Sequence, residues 1–355
     1  MNILYIGEET RNWIVRFANE MSLLGHEITI VVKKYDIYDN FNKVKPIDNV
    51  SLIEVDDGAY FVQDTIANMI GDKIKEFDIV YGSHIIACLP VAYIGKKYNI
   101  PYGNQVLDVP IHLIKTQPQR NRNWNAYSTI LKQANTMTFI TKKARDDWNI
   151  HTGQYYPDDN VITYPATVPK DYKNIGIDIK SDYVVSVCGL SPIKNISMIT
   201  EAIALTGRPI RQVVIGRDRG DKQRIIEIAK ANNIDVSFYD SVSEESKFEW
   251  IKNAMCVVYP QQTEYIGGLN PWEGMMIGTP VICTDYEILK DLYKDNVTYF
   301  DRASVQALAN ELINVYDNEY DKDKLKSASD YAYENACFEI MAKKFDTVIK
   351  KVVKK

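Results

Sequence analysis

Thr263-Glu264-Tyr265-Ile266-Gly267-Gly268-Leu269-Asn270-Pro271-Trp272-Glu273-Gly274-Met275-Met276-Ile277-Gly278-Thr279-Pro280-Val281-Ile282 sets an acidic residue, a glycine pair and a second acidic residue between two apolar, strand-like runs. Those runs are Cys256-Val257-Val258-Tyr259 and Val281-Ile282-Cys283. Strand, glycine turn, helix and strand in that order read as one unit of a parallel sheet. Two carboxylates flanking such a turn can accept hydrogen bonds from the hydroxyls of a sugar and a ribose. The bare N–H groups of the turn can meet an anion.

Outward from this stretch the alternation of strand and helix runs through the whole chain. Asn2–Ile6 reads as a strand, and Arg11–Leu24 places Ile14, Phe17, Ala18, Met21 and Leu24 on one helical stripe closed by Gly25. Glu27–Val32, Asp78–Tyr81, Gln105–Leu107, Met137–Thr141 and Val161–Tyr164 are further strand candidates, with helical patterns over Thr65–Phe77 and Tyr127–Gln133. Pro165-Ala166-Thr167-Val168-Pro169 then interrupts regular structure and suits a hinge. The alternation restarts with strands Tyr183–Cys188, Gln212–Ile215, Val236–Tyr239, Cys256–Tyr259 and Pro280–Thr284. Helices are expected over Ser197–Thr206 and Glu244–Asn253, from about Pro271, and from about Glu334 to Lys351. The expected class is therefore α/β: two Rossmann-like domains facing each other across a cleft. Open parallel sheets take ligands beyond the C-terminal ends of their strands, which makes that cleft the default site.

At 355 residues the chain is long for one domain. Hydrophobic content of 46% and charged content of 25% are ordinary for a soluble globular protein. No apolar run reaches the roughly 18 residues of a membrane span. The start, Met1-Asn2-Ile3-Leu4-Tyr5-Ile6, has no basic head or long apolar segment, so no signal peptide is expected and the location reads as cytoplasmic. The five cysteines are widely spaced and read as reduced, buried thiols, and no Cys/His spacing fits zinc. Net charge is −5, yet Val109 to Arg145 holds seven basic residues and no acidic one. Lys343, Lys344, Lys350, Lys351, Lys354 and Lys355 make the C-terminus basic too. These patches can meet phosphates or an anionic membrane face, or can simply be solvated.

In this order and spacing the motifs resemble the family 4 glycosyltransferases, retaining enzymes of the GT-B two-domain fold. Leu24-Gly25-His26-Glu27-Ile28-Thr29 is similar to the family's first helix-to-strand junction, and Ala134–Trp148 to its strand, Ser or Thr, then helix. Val161–Val168 resembles the interdomain V-x-x-I-P-N-G-V, and Cys188–Asn195 the G-R-L-S-P-E-K-G turn. Val213–Arg219 sits where the family has V-G-D-G. Thr263–Ile282 resembles E-G-F-G-L-P-P-L-E-A-M-A-C-G-T-P-V-I, and Phe338–Val353 the last helix, which crosses back to the first domain. The resemblance implies an N-terminal acceptor domain over 1–168, a nucleotide-sugar donor domain over 169–333, and a returning helix over 334–355.

It also implies roles. Lys194, at the turn after Tyr183–Cys188, would meet the departing pyrophosphate, where negative charge develops. The family has an arginine five residues before that lysine, and here stands Gly189. Arg217 and Arg219 could supply the charge, or could line a solvated loop. Glu273 would accept the ribose hydroxyls. Glu264 would accept hydroxyls of the transferred sugar, beside Gly267 and the backbone N–H groups of Gly268, Leu269 and Asn270. The family leaves seven residues between the two acids, whereas Glu264 and Glu273 are separated by 265–272, one more; counted back from Glu273, Tyr265 holds the first acid's place. His84 follows a strand near the expected reacting centre, though a lone histidine there is also unremarkable. Asp108 is similar to the aspartate of the family's H-D pair, with Leu107 in the histidine's place. Glu8 and Glu9 would repel a pyrophosphate and read as the acceptor side.

The family's chemistry uses no protein nucleophile, no cofactor and no divalent metal, and no Asp-x-Asp pair lies near the donor motifs. The co-substrate expected from the resemblance is a UDP-sugar. The basic run with Trp124 and Tyr127 suits an anionic acceptor: a lipid-linked or polysaccharide chain at a membrane surface, or alternatively DNA carrying a modified base. A catalytically silent binding protein on the same fold is the rival of a different class. An NAD-linked oxidoreductase is disfavoured, since no strand is followed by G-x-G-x-x-G.

Overall fold

β1 (Asn2–Ile6) is buried along four of its five residues, as a strand apolar on both faces must be in the middle of a parallel sheet. In the computed structural model it pairs in parallel with β2 (Glu27–Lys33) and β4 (Ile79–Ser83). β3 (Val50–Val55), β5 (Tyr102–Val106) and β6 (Thr136–Phe139) complete a six-stranded sheet of order β3-β2-β1-β4-β5-β6. A second parallel sheet is built from β7 (Tyr183–Val187), β8 (Arg211–Ile215), β9 (Val236–Tyr239), β10 (Cys256–Tyr259), β11 (Val281–Thr284) and β12 (Thr298–Phe300). Its order is β12-β11-β10-β7-β8-β9. The residues described are 1–7, 11–34, 44–56, 64–84, 87–107, 128–178, 181–262, 267–318 and 320–353.

The chain divides into two compact units, Met1–Tyr164 with Phe338–Lys355, and Pro165–Cys337. In the first, the Arg11–Leu23 helix buries Trp13, Ile14, Phe17, Ala18 and Met21 and gives way at Gly25, whose φ is 86°. The last helix, Phe338–Val353, buries Phe338, Met341, Ala342, Phe345, Val348 and Ile349, a stripe at helical spacing. Phe345 meets Tyr81 edge-on at 4.6 Å and Phe17 at 5.2 Å between ring centroids. The chain's end therefore fills the core of its beginning. In the second unit the Ser197–Thr206 and Val305–Asp317 helices pack Ile199, Ile203, Leu308 and Leu312 against Val184, Val214, Val258 and Ile282 of the sheet.

Several expectations shift. Val161–Tyr164 is no strand: it makes one bridge, Val161 to Phe139, and Pro165 follows at once. The pattern over Thr65–Phe77 splits at Gly71 (φ 63°) into the α-helix Thr65–Ile70 and the 3-10 turns Gly71–Glu76. The fifth strand begins at Tyr102, before the expected Gln105, because Gly103 lets Tyr81 of β4 lie against the backbone. The final helix starts at Phe338 rather than near Glu334, since a separate Lys322–Asn335 helix ends at Ala336. β3 and β12, and the Lys222–Asn232, Glu287–Tyr293 and Val305–Asp317 helices, lie in stretches for which the sequence reading offered no element.

Candidate functional site

In the second sheet β7 and β10 are neighbours, and the chain winds outward from them in opposite directions. This is the topological switch point, where loops beyond the strand ends part and leave a ligand crevice. The turn after β7 is pinned by backbone bonds. Leu190 N–H donates to Arg217 O at 2.8 Å, and Arg219 N–H donates to Leu190 O at 3.0 Å. Gln262 N–H, after β10, donates to Ile193 O at 3.1 Å. Gly216 makes this closeness possible: at φ 149°, a β-carbon there would sit 1.9 Å from Cys188 O.

Pro192–Lys194 forms a 3-10 turn closed by Asn195 in the left-handed region, φ 53°. It presents Lys194, whose Nζ donates to Gln261 Oε1 at 2.9 Å. The Tyr259 hydroxyl donates to the same oxygen. Gln261 is buried, and its carbonyl accepts from Thr284 Oγ1 at 3.0 Å, so this acceptor is fixed from both ends. Burial holds the Lys194 ammonium below its ordinary pKa; Cys188 opposes that shift and the Arg219 charge adds to it. A cation held out of water beside a second cation is short of negative charge. The Cys188 thiol is pushed up to about 11 by burial, so it stands protonated beside Lys194 and is no nucleophile.

Arg219 is where the second cation comes from. A β-carbon on Gly189 would lie 3.1 Å from Nε and 3.2 Å from Cδ of Arg219, so the guanidinium arm covers the bare glycine. Asp218 Oδ1 accepts from Gly220 N–H at 2.8 Å and Lys222 N–H at 3.3 Å, which fixes the turn carrying it. Arg217, half-buried at the end of β8, offers its carbonyl to Leu190.

The glycine pair has a packing reason. A β-carbon on Gly267 would be 2.2 Å from Leu292 Cδ1, and one on Gly268 would be 2.6 Å from the Tyr259 ring. Tyr293 Oη donates to Gly268 O at 2.8 Å. The backbone therefore threads between two buried tyrosines into the Leu269–Ile277 helix, whose first N–H groups lack intrahelical acceptors. Asn270 is buried in its first turn with neither Nδ2 nor Oδ1 bonded. Glu273 is only 3% exposed, and its Oε1 accepts from Lys247 Nζ at 2.6 Å. Glu264 and Tyr265 lie outside the described residues.

In the first unit His84 directly follows β4, beside β1, at that sheet's own switch point. Its φ of 66° is unusual for a non-glycine residue. Its N–H donates to Gln105 O at 3.1 Å, and its carbonyl accepts from Asn104 Nδ2 at 3.1 Å. Glu8, Glu9, Asp108 and the basic run through residue 127 lie outside the described residues. The described basic residues are largely paired: Lys143 with Asp147, Arg145 with Asp146 and Asp158, Lys343 with Glu339, Lys350 with Asp346, and Lys351 with Asp159.

Residues 168–335 match the family model described as glycosyl transferases group 1. This segment, just under half of the chain, is similar to the group 1 glycosyltransferase domains. With it, the chain is a transferase. No curated protein matches the sequence. Solved structures match the fold over nearly the full length. HepE from Anabaena, in complex with UDP and glucose, is 13% identical with TM-score 0.73, covering 99% of this chain and 100% of that one. Sucrose-phosphate synthase from Thermosynechococcus elongatus is 14% identical with TM-score 0.75, covering 99% and 98%. A glycosyltransferase from Rickettsia africae is 14% identical with TM-score 0.74, covering 100% and 99%. At these identities the likeness establishes the fold, that of the GT-B glycosyltransferases.

Within residues 168–335, Lys194, Gly189, Gly267 and Gly268 lie in the turns that follow β7 and β10, Asn270 lies in the first turn of the Leu269–Ile277 helix, and Glu273 lies one helical turn deeper. Gln261 and Lys247 were absent from the sequence reading. Gln261 carried a signal, since it stands two residues after β10, on the strand end that a switch point exposes. Lys247 carried none: the contact to Glu273 spans 26 residues and two helices.

Proposed function

We propose that the protein is a retaining glycosyltransferase that moves a hexose-type sugar from a UDP-sugar to a hydroxyl of a lipid-linked or polysaccharide acceptor. The observation that carries this reading is the pair of cations, Lys194 and Arg219, in the turns after β7 and β8, with Lys194 over the Tyr259 ring against which Gly268 packs at the start of the Leu269–Ile277 helix. Two positive side chains and a helix N-terminus suit a diphosphate. The neighbours solved with UDP and with UDP-glucose support the choice of nucleotide. The acceptor oxygen forms the new bond to the anomeric carbon as the bond from that carbon to the phosphate oxygen breaks. The acceptor's proton passes to the phosphate oxygen, and UDP leaves. Lys194 and Arg219 stabilise the charge that grows on the diphosphate. Glu273 receives the ribose and Glu264 the transferred sugar, and His84 serves the acceptor. No metal is required, and the enzyme works at the cytoplasmic face of a membrane.

Incubation with UDP-glucose, UDP-galactose, UDP-N-acetylglucosamine and GDP-mannose tests the reading. At least one UDP-sugar should be hydrolysed slowly to UDP, equally well in EDTA, and proton NMR should show the α-anomer first. No turnover of any donor sinks the enzyme reading, and a β-anomer as first product sinks the retaining mechanism.

A further inference from the structure

Glu273 is a carboxylate almost wholly removed from water, and a buried charge of that kind needs a committed partner. Lys247 provides it from a different element, the Glu244–Lys252 helix. That helix is held in register by its own start: Ser243 Oγ accepts from Ser246 N–H at 3.1 Å, with Glu244 and Glu245 in the first turn. Lys247 itself is mostly buried, and its Nζ lies 4.7 Å from the ring centroid of Phe248. Phe248 in turn packs on Tyr172 with 5.2 Å between centroids. The ammonium therefore reaches Oε1 from a fixed direction, and its 2.6 Å bond commits that oxygen.

We propose that Lys247 is a positioning residue for nucleotide recognition, which holds Glu273 oriented so that Oε2 accepts the ribose hydroxyl. The inference rests on the donor-site reading above. It adds a residue outside the glycine-led motif and gives it a chemical task. The ribose is remote from the bond that breaks, so this contact is equal in ground and transition states. Loss of Lys247 then raises KM and leaves kcat nearly unchanged. Without the ammonium the buried carboxylate loses the charged partner that fixes its orientation, and recognition of the ribose hydroxyl weakens with it.

The test is calorimetric titration of UDP and 2′-deoxy-UDP into wild type, K247M, K247R and K247M/E273Q. A hydrogen bond to a charged group is worth about tenfold or more in affinity. Wild type should prefer UDP to 2′-deoxy-UDP by about that factor. K247M should lose about tenfold for UDP and lose the preference. K247R should recover both properties. The doubly neutral K247M/E273Q leaves no lone buried charge, so it keeps the question open to test if K247M does not fold. It should show no preference. UDP affinity and preference unchanged in K247M overturn the role of Lys247 alone, as does a preference for UDP that persists in K247M/E273Q. Wild type that binds no UDP overturns the donor-site reading itself.

Discussion

Arg219 supplies from one loop a charge that its neighbour Gly189 cannot. The two loops are hydrogen-bonded through Leu190, which brings Cδ and Nε of Arg219 over the glycine. R219Q should therefore lower kcat by about 10²–10³, the cost typical of removing one preorganised donor from a developing negative charge. A steady-state assay with the preferred UDP-sugar checks this, and an unchanged kcat would return Arg219 to the solvated loop. Gly268 is constrained by volume rather than charge. G268A puts a methyl 2.6 Å from the Tyr259 ring, and overpacking of that kind costs about 1–3 kcal/mol. Urea unfolding should show the loss, and stability equal to wild type would mean that Tyr259 moves freely. At this scale the positions of Lys194 in the turn after β7 and of Glu273 in the helix after β10 were legible because each sits in a local motif. The shielding of Glu273 by Lys247 was not, since the two residues belong to different helices.

At the scale of elements the last helix is tied to the first helix-to-strand junction by charge as well as by packing. His26 Nε2 lies 2.8 Å from Asp346 Oδ1, and Asp346 Oδ2 accepts from Lys350 at 2.7 Å. Burial holds the His26 pKa below 6.5 despite the hydrogen bond and charge of Asp346. A depressed histidine favours the folded state above the unfolded pKa and loses that advantage as protons bind. The melting temperature should therefore fall as pH drops below about 6.5. In H26Q that part of the pH dependence should vanish, as thermal melts from pH 7.5 to 5 would show; an identical slope in both would exclude His26 as the cause. Elements with a clean period were legible in sequence: Val236–Tyr239, Cys256–Tyr259 and Ser197–Thr206 begin and end where their residue pattern says. β3 was not, because only Val55 of its six residues is buried and its apolar pattern is diluted by Ser51 and Glu54.

Across the whole molecule, two sheets of equivalent strand order each have their own core, and the final helix belongs with the first. Five of its side chains, Phe338, Met341, Phe345, Val348 and Ile349, are buried in that core. At about 1.5–3 kcal/mol each, their loss matches the entire net stability of an ordinary domain. A chain ending at Cys337 should therefore lose one calorimetric transition and keep the other, and UDP should raise only the transition that remains. Two transitions in the shortened chain would refute this. The class, the alternation and the glycine-led motif were determined by the sequence itself, because periodicity and turn chemistry act over a few residues. Only the tertiary structure decided that Arg219 covers Gly189, that Lys247 holds Glu273, and that Gln261 takes the Lys194 ammonium. Those pairings join residues far apart along the chain, and parallel strands bring their C-terminal loops together whatever their separation in sequence.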